Sequence, residues 1–124
     1  MAAGNKEIGR WGEDVACDML VGLGYAIVER NWRVGHLEID IVAQKGGRIV
    51  FVEVKTRAAD SPEDPLDAID RRKQAHMAAA ANAFLRGNHW RGEVQFDLFG
   101  IRGCPSDYTV EHIPDAFLPP LKTY

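Results

Sequence analysis

The stretch that decides the fold is Leu37–Arg57, LEIDIVAQKGGRIVFVEVKTR. Two runs rich in Ile and Val, Leu37 to Gln44 and Arg48 to Thr56, flank Gly46-Gly47. Branched side chains on both sides of a diglycine predict two antiparallel strands closed by a two-residue turn, because both glycines can take positive φ without penalty. The turn sets the register. Lys45 faces Arg48, and stepping outward puts Asp40 opposite Glu53 and Glu38 opposite Lys55. Alternation along the strands assigns these last four residues to one face and Leu37, Ile39, Ile41, Val50, Val52 and Val54 to the other. One face reads as core and the other as a place for chemistry.

Directly opposed side chains on a sheet have Cβ atoms about 4.5–5.5 Å apart, where two like charges are destabilising. Asp40 against Glu53 therefore calls for a counter-ion. A divalent cation fits, since two carboxylates, a strand carbonyl and water make the hard oxygen shell that Mg²⁺ prefers. Lys55 projects to the same side and can hold a water or balance phosphate charge. The alternative left open by the spacing is a solvated face on which Glu38 and Lys55 form a cross-strand ion pair.

Upstream, Ile8, Trp11, Val15, Ala16, Met19, Leu20 and Leu23 recur at three- and four-residue steps, predicting an amphipathic helix ended by Gly24 at its C′ position. Glu13 lies on the flank of that stripe. Tyr25 to Asn31 reads as a short strand. Downstream, Ala58 to Asp64 is a polar link in which Ser61-Pro62 or Asp64-Pro65 offers an N-cap followed by proline. A second helix then runs to about Arg86, with Leu66, Ile69, Met77, Ala80 and Phe84 as its stripe and Lys73 near the middle of it. A lysine there either snorkels along apolar neighbours or points a second cation at the hairpin. Glu93 to Arg102 and Asp107 to Ile113 complete the pattern as strands. The order αβββαββ describes an α/β protein with a mixed sheet flanked by helices, in which the strand, helix, strand passage from Val50 to Phe96 forms a right-handed crossover.

At 124 residues, with 46% hydrophobic and 27% charged residues, the chain is expected to form one globular domain over residues 1–124 and is excluded from the disordered and fibrous classes. The longest apolar run, Ile49 to Val52, is far short of the ~20 residues of a membrane span, and MAAGNKEIGRWGED lacks the apolar core of a secretory signal, so the expected address is the cytoplasm, with no membrane partner. Cys17 and Cys104 read as free thiols. His36, His76, His89 and His112 have no zinc-like spacing. A formal net charge of −3 does not advertise a basic nucleic-acid binder, but a nuclease concentrates carboxylates at its metal and needs positive charge only where phosphates lie.

Taken in order, GRWGEDVACDML, GYAIVERNWR, LEIDIVA, VFVEVKTR, QFDLFGI and HIPDAF, from Gly9 to Phe117, resemble the YraN-like family of small bacterial proteins. That family is similar to the restriction-endonuclease-like PD-(D/E)xK superfamily, and within it to the Holliday junction resolvases. The resemblance implies a restriction-endonuclease-like nuclease domain acting on branched, flapped or single-stranded DNA with Mg²⁺ or Mn²⁺, DNA as partner, and a homodimer as an allowed assembly. Asp40 would be the metal-binding aspartate and Glu53-Val54-Lys55 the ExK element. Asp40, Glu53 and the Val54 carbonyl would hold the metal, joined by Glu13 of the GE pair, while Lys55 positions the attacking water. Lys73 matches a recurrent lysine of the following helix, and Glu38 the glutamate of a GEID signature. Leu37 stands where that signature has glycine, and Ile39 where the superfamily has proline.

Arg57, Arg71, Arg72 and Lys73 are candidates for phosphate contacts. Trp32 and Trp90, placed in loops, could stack on unpaired bases or pack over the sheet edge, and Trp11 reads as core. Asp97 receives no role. A non-cleaving nucleic-acid-binding module and a protein-interaction domain are the competing readings, and both keep the fold.

Overall fold

The computed structural model describes residues 4–118, so residues 1–3 and 119–124 of the expected 1–124 domain lie outside the described residues. The central hairpin forms as expected. β2 (Leu37–Lys45) and β3 (Arg48–Arg57) pair antiparallel from Lys45↔Arg48 to Ile41↔Val52. Of the two turn glycines only Gly46 takes a positive φ, 57°, so the turn is not the doubly positive one expected. β1 (Ala26–Val34) lies antiparallel on the other edge of β2, β4 (Glu93–Cys104) parallel to β3, and β5 (Asp107–Ile113) antiparallel to β4. The result is a five-stranded mixed sheet in the order β1-β2-β3-β4-β5, flanked by helices in the element order αβββαββ.

Both faces of this sheet are buried, which corrects the expectation of one core face and one chemical face. Val42, Ile49, Phe51 and Phe96 pack with Met77 and Phe84 of α2 (Arg71–Gly87). Ile41, Ala43, Val50, Val52 and Phe99 pack with Ala16, Cys17 and Leu20 of α1 (Asn5–Gly22). The unbroken run Ile49–Val52 is the signature of a strand covered on both sides. Polar chemistry is thereby confined to the strand ends where the apolar run stops, at Asp40 and Glu53.

Alternation along β2 breaks at Asp40. Ile39 joins the cluster under α2 together with Val42, while Ile41 lies under α1. β2–β3 pairing extends no further than Ile41↔Val52, and the backbone N–H of Val54 donates instead to Asp40 Oδ2 at 2.8 Å. The carboxylate replaces a backbone acceptor where the strands part.

Helix α1 buries Gly12, Ala16, Cys17 and Leu20, a narrower stripe than expected, since Met19 and Leu23 are 36% and 47% exposed. A Cβ on Gly12 would sit 2.3 Å from Thr56 Cγ2, so glycine is what lets α1 settle on β3. Gly12→Ala should cost about 1–3 kcal/mol through overpacking, even though alanine is the better helix former. Urea unfolding of Gly12→Ala and of Gly12→Ala/Thr56→Ser checks this. The second change, which removes the obstructing methyl, should recover most of the loss.

The expected second helix is two elements. Asp64 caps a single 3₁₀ turn, Pro65–Ala68, accepting from Leu66 N at 2.9 Å. Asp70 then caps α2, accepting from Lys73 N at 2.8 Å. Two aspartate caps six positions apart compete for one helix start, and each takes its own. Lys73 consequently lies in the first turn of α2 rather than mid-stripe.

Trp90 keeps its expected loop position and its packing alternative, whereas Trp32 and Trp11 depart from expectation. Trp32 belongs to β1, not a loop, and meets Phe84 edge-on with ring centroids 5.2 Å apart. Trp90 is half-buried against the same cluster. Trp11 is half-buried and edge-on to Tyr108 at 5.1 Å rather than in the core. Cys17 and Cys104 are both free thiols. No helix among the described residues is long and apolar enough to cross a membrane.

Candidate functional site

Where β2 and β3 part, the Asp40 and Glu53 carboxyls come close enough for Glu53 to act on Asp40. Burial pushes the Asp40 carboxyl up to about 9, the hydrogen bond and charge of Glu53 push the same way, and the Val54 N–H only partly opposes them. Glu53 is 7% exposed and receives Lys73 Nζ on Oε2 at 2.5 Å. For Lys73, burial works against the charge, but the proximity of Glu53 outweighs it and the ammonium is held above its usual range. One buried carboxylate is thus paired with a lysine, while burial beside it favours the protonated form of its neighbour.

Glu13 borders this pair. Its carboxylate accepts from Asn31 Nδ2 at 3.0 Å and lies 3.8 Å from Arg30, which itself pairs with Asp14 at 2.7 Å. Burial raises the Glu13 carboxyl, and its charge is felt at Asp40. Asn31 adopts a left-handed conformation, φ 51°, between the pairs Arg30↔Ile41 and Trp32↔Ile39, which brings it opposite Asp40. Sequence reasoning missed this residue. Its signal was an asparagine, a residue that tolerates left-handed φ, inside an otherwise regular strand.

The model of the uncharacterised protein family UPF0102 matches residues 12–101. The chain belongs to that family. It is 40% identical over 114 residues to a UPF0102 protein of Bacteroides fragilis, covering 92% of this chain and 94% of that one. It is 44% identical over 110 residues to one of Nitratidesulfovibrio vulgaris, covering 88% and 82%. The resemblance to the YraN-like family is thereby borne out. Among solved structures, the Holliday junction resolvase Hjc of Archaeoglobus fulgidus is similar at a TM-score of 0.48 and 19% identity, over 86% of this chain and 76% of that one.

In this UPF0102 protein the remaining expected residues are dispersed around the acid pair. Lys55 is half-buried and bonds to neither carboxylate. It lies by Pro65, Gly100 and Arg102 at the mouth of the 3₁₀ turn. Its expected cross-strand partner Glu38 is taken by Arg33 at 3.2 Å, so the Glu38–Lys55 ion pair does not form. Arg57 is paired with Glu63 at 2.6 Å. Arg102 donates to the carbonyls of Ser61 and Glu63, fastening the polar link to β4. Arg71 and Arg72 are exposed at the start of α2. Among the described residues no three His, Cys, Asp or Glu side chains are grouped to hold a metal.

Asp97, given no role above, is 1% exposed and fully engaged. It accepts from Gln95 Nε2 at 2.8 Å and from the backbone N–H of Asp115 at 3.0 Å, and it bonds His112 Nε2 at 2.8 Å. His112 in turn stacks on Phe99 with centroids 4.2 Å apart. This node ties the segment after β5 back to β4.

Asp40 carries a testable pH signature. Its folded-state value, about 9, lies above the 3.8 of an unperturbed aspartate, so the folded protein binds more protons than the unfolded chain across that interval. Stability contributed by this group is full below the lower value and is lost as pH rises through the upper one. Asp40→Asn cannot ionise. Its metal-free unfolding midpoint should therefore gain on wild type steadily between about pH 5 and 9. Parallel midpoint-versus-pH curves for the two proteins would overturn the assignment.

Proposed function

We infer that this protein is a metal-dependent endonuclease that hydrolyses phosphodiester bonds in DNA, with branched, flapped or single-stranded DNA as its substrate class. The observation that carries the reading is the buried contact of Asp40 with Glu53. Two carboxylates held together away from water are costly unless a proton or a cation relieves them. The donor set fits Mg²⁺ or Mn²⁺, with Asp40, Glu53 and the Val54 carbonyl as the residues that would hold it and Glu13 reaching it through water. When bound, such an ion supplies Lewis acidity toward a phosphoryl oxygen and lowers the pKa of water.

The protein's own residues do the rest. Asp40 is the carboxyl that would have to be deprotonated to serve as a ligand. Lys55, unpaired with Glu38, is available to orient a water and to meet charge developing on the phosphate. Lys73 neutralises Glu53, and Arg72 is free to contact a neighbouring phosphate. Arg57 takes part only by exchanging Glu63 for a phosphate.

One observation favours a non-cleaving DNA-binding module instead: Lys73 already balances Glu53, so the metal-free pair is stable as it stands. An assay of purified protein on single strands, flaps and four-way junctions, with Mg²⁺, Mn²⁺ or chelator, separates the two. Divalent-dependent cleavage lost in Asp40→Asn supports the nuclease. Binding without cleavage by wild type establishes the module.

A further inference from the structure

Along the flank of α1 that meets β1 runs a groove of about 390 Å³ lined by Lys6, Gly9, Arg10, Glu13, Asn31 and Arg33. Three cations face one carboxylate there, in a chain whose formal net charge is −3. Lys6 and Arg10 are exposed, lie one helical turn apart, and pair with no carboxylate among the described residues. Arg33 is shared with Glu38 at 3.2 Å, and Glu13 at the inner end is held by Asn31 at 3.0 Å. The inner end of the groove is thus Glu13, whose charge is felt at Asp40.

Gly9 gives the groove its meaning. It lies well inside the 18-residue helix α1, where glycine costs about 1 kcal/mol relative to alanine. Gly12, in the next turn, is required by Thr56, yet a Cβ on Gly9 would meet nothing within 4 Å. Packing among the described residues gives Gly9 no purpose. Its place on the groove floor does, by keeping the helix backbone open to close approach.

We propose that this groove is a track for the sugar-phosphate backbone of a DNA strand, with Lys6, Arg10 and Arg33 neutralising successive phosphates and Gly9 left bare so that the strand lies against α1. The inference rests on the nucleic-acid part of the reading above. From Lys6 to Glu13 a helix rises about 10 Å, about 6 Å of it between Lys6 and Arg10, the length scale of one nucleotide of backbone. The strand so held runs toward Glu13, whose charge is felt at Asp40.

The test is equilibrium binding of fluorescently labelled single-stranded and four-way-junction DNA in chelator, where nothing is cut, between 50 and 200 mM NaCl. Lys6→Gln/Arg10→Gln should weaken binding about tenfold and lower the slope of log affinity against log salt by about 1.5. Gly9→Leu should weaken binding about tenfold by obstruction while its unfolding midpoint equals or exceeds wild type, since leucine is the better helix former. That opposite movement of stability and binding is not produced by a structural glycine. Arg91→Gln is the control, because Arg91 precedes β4 beside the hairpin turn, where Glu93 N bonds Gly47 O at 2.8 Å, at the far end of β3 from Glu53. Wild-type affinity in both groove variants, or an equal loss in Arg91→Gln, overturns the track without touching the nuclease reading. Wild type that binds through the groove but never cuts overturns the nuclease and upholds the track, and wild type that binds no DNA overturns both.

Discussion

Lys55→Ala should lower single-turnover cleavage of DNA by roughly 10²–10⁴-fold, the usual worth of a group that handles a proton or developing charge in the transition state. DNA affinity should fall only modestly, and divalent-induced stabilisation should persist, because the carboxylates that would hold the ion are unchanged. The geometry sharpens this expectation. Glu38, the partner that would have made Lys55 half of a surface ion pair, is bonded to Arg33 instead. No ion pair is therefore lost with the ammonium, and the unfolding midpoint should stay close to wild type. Cleavage rate, DNA affinity and midpoint are to be compared for the same two proteins. An active Lys55→Ala enzyme would remove the assigned role.

Asp97→Ala should have the largest effect on stability, about 3–5 kcal/mol, because truncating one member of a buried bonded set leaves its partners desolvated and unpaired. Those partners are the Gln95 amide, the His112 ring and the Asp115 backbone N–H, all reaching a side chain 1% exposed. With about 4 °C per kcal/mol for a chain of this size, the midpoint should drop by roughly 10–20 °C. Asp97→Asn, which keeps the shape and one acceptor, should lose less. Calorimetry of the two variants checks the order, and an Asp97→Ala protein melting within a degree or two of wild type would show that the node is dispensable.

Local physics accounts for what was legible in the amino-acid order. A diglycine between two branched runs sets the β2–β3 register through the turn alone as far as Ile41↔Val52, which leaves Asp40 and Glu53 at the point where the strands part. The αβββαββ order follows likewise from periodicity and breakers, each read within a dozen residues. Cap chemistry was legible at Asp64 but hidden at Asp70, since two aspartates near a helix start are equivalent until packing buries Ile69 between them.

The sequence by itself determined the strand pairing up to the edge of the site and the α/β order of elements, both consequences of short-range backbone preference. Only the tertiary structure decided which cation meets Glu53, because the choice between Lys55 and Lys73 depends on how α2 is seated over β3. It also decided that both sheet faces are core, that Asn31 holds Glu13, and that Asp97 answers His112. Each of these joins residues 15 or more positions apart. Such contacts come from the packing of whole elements against one another, and no window of local sequence carries the positions of two elements at once.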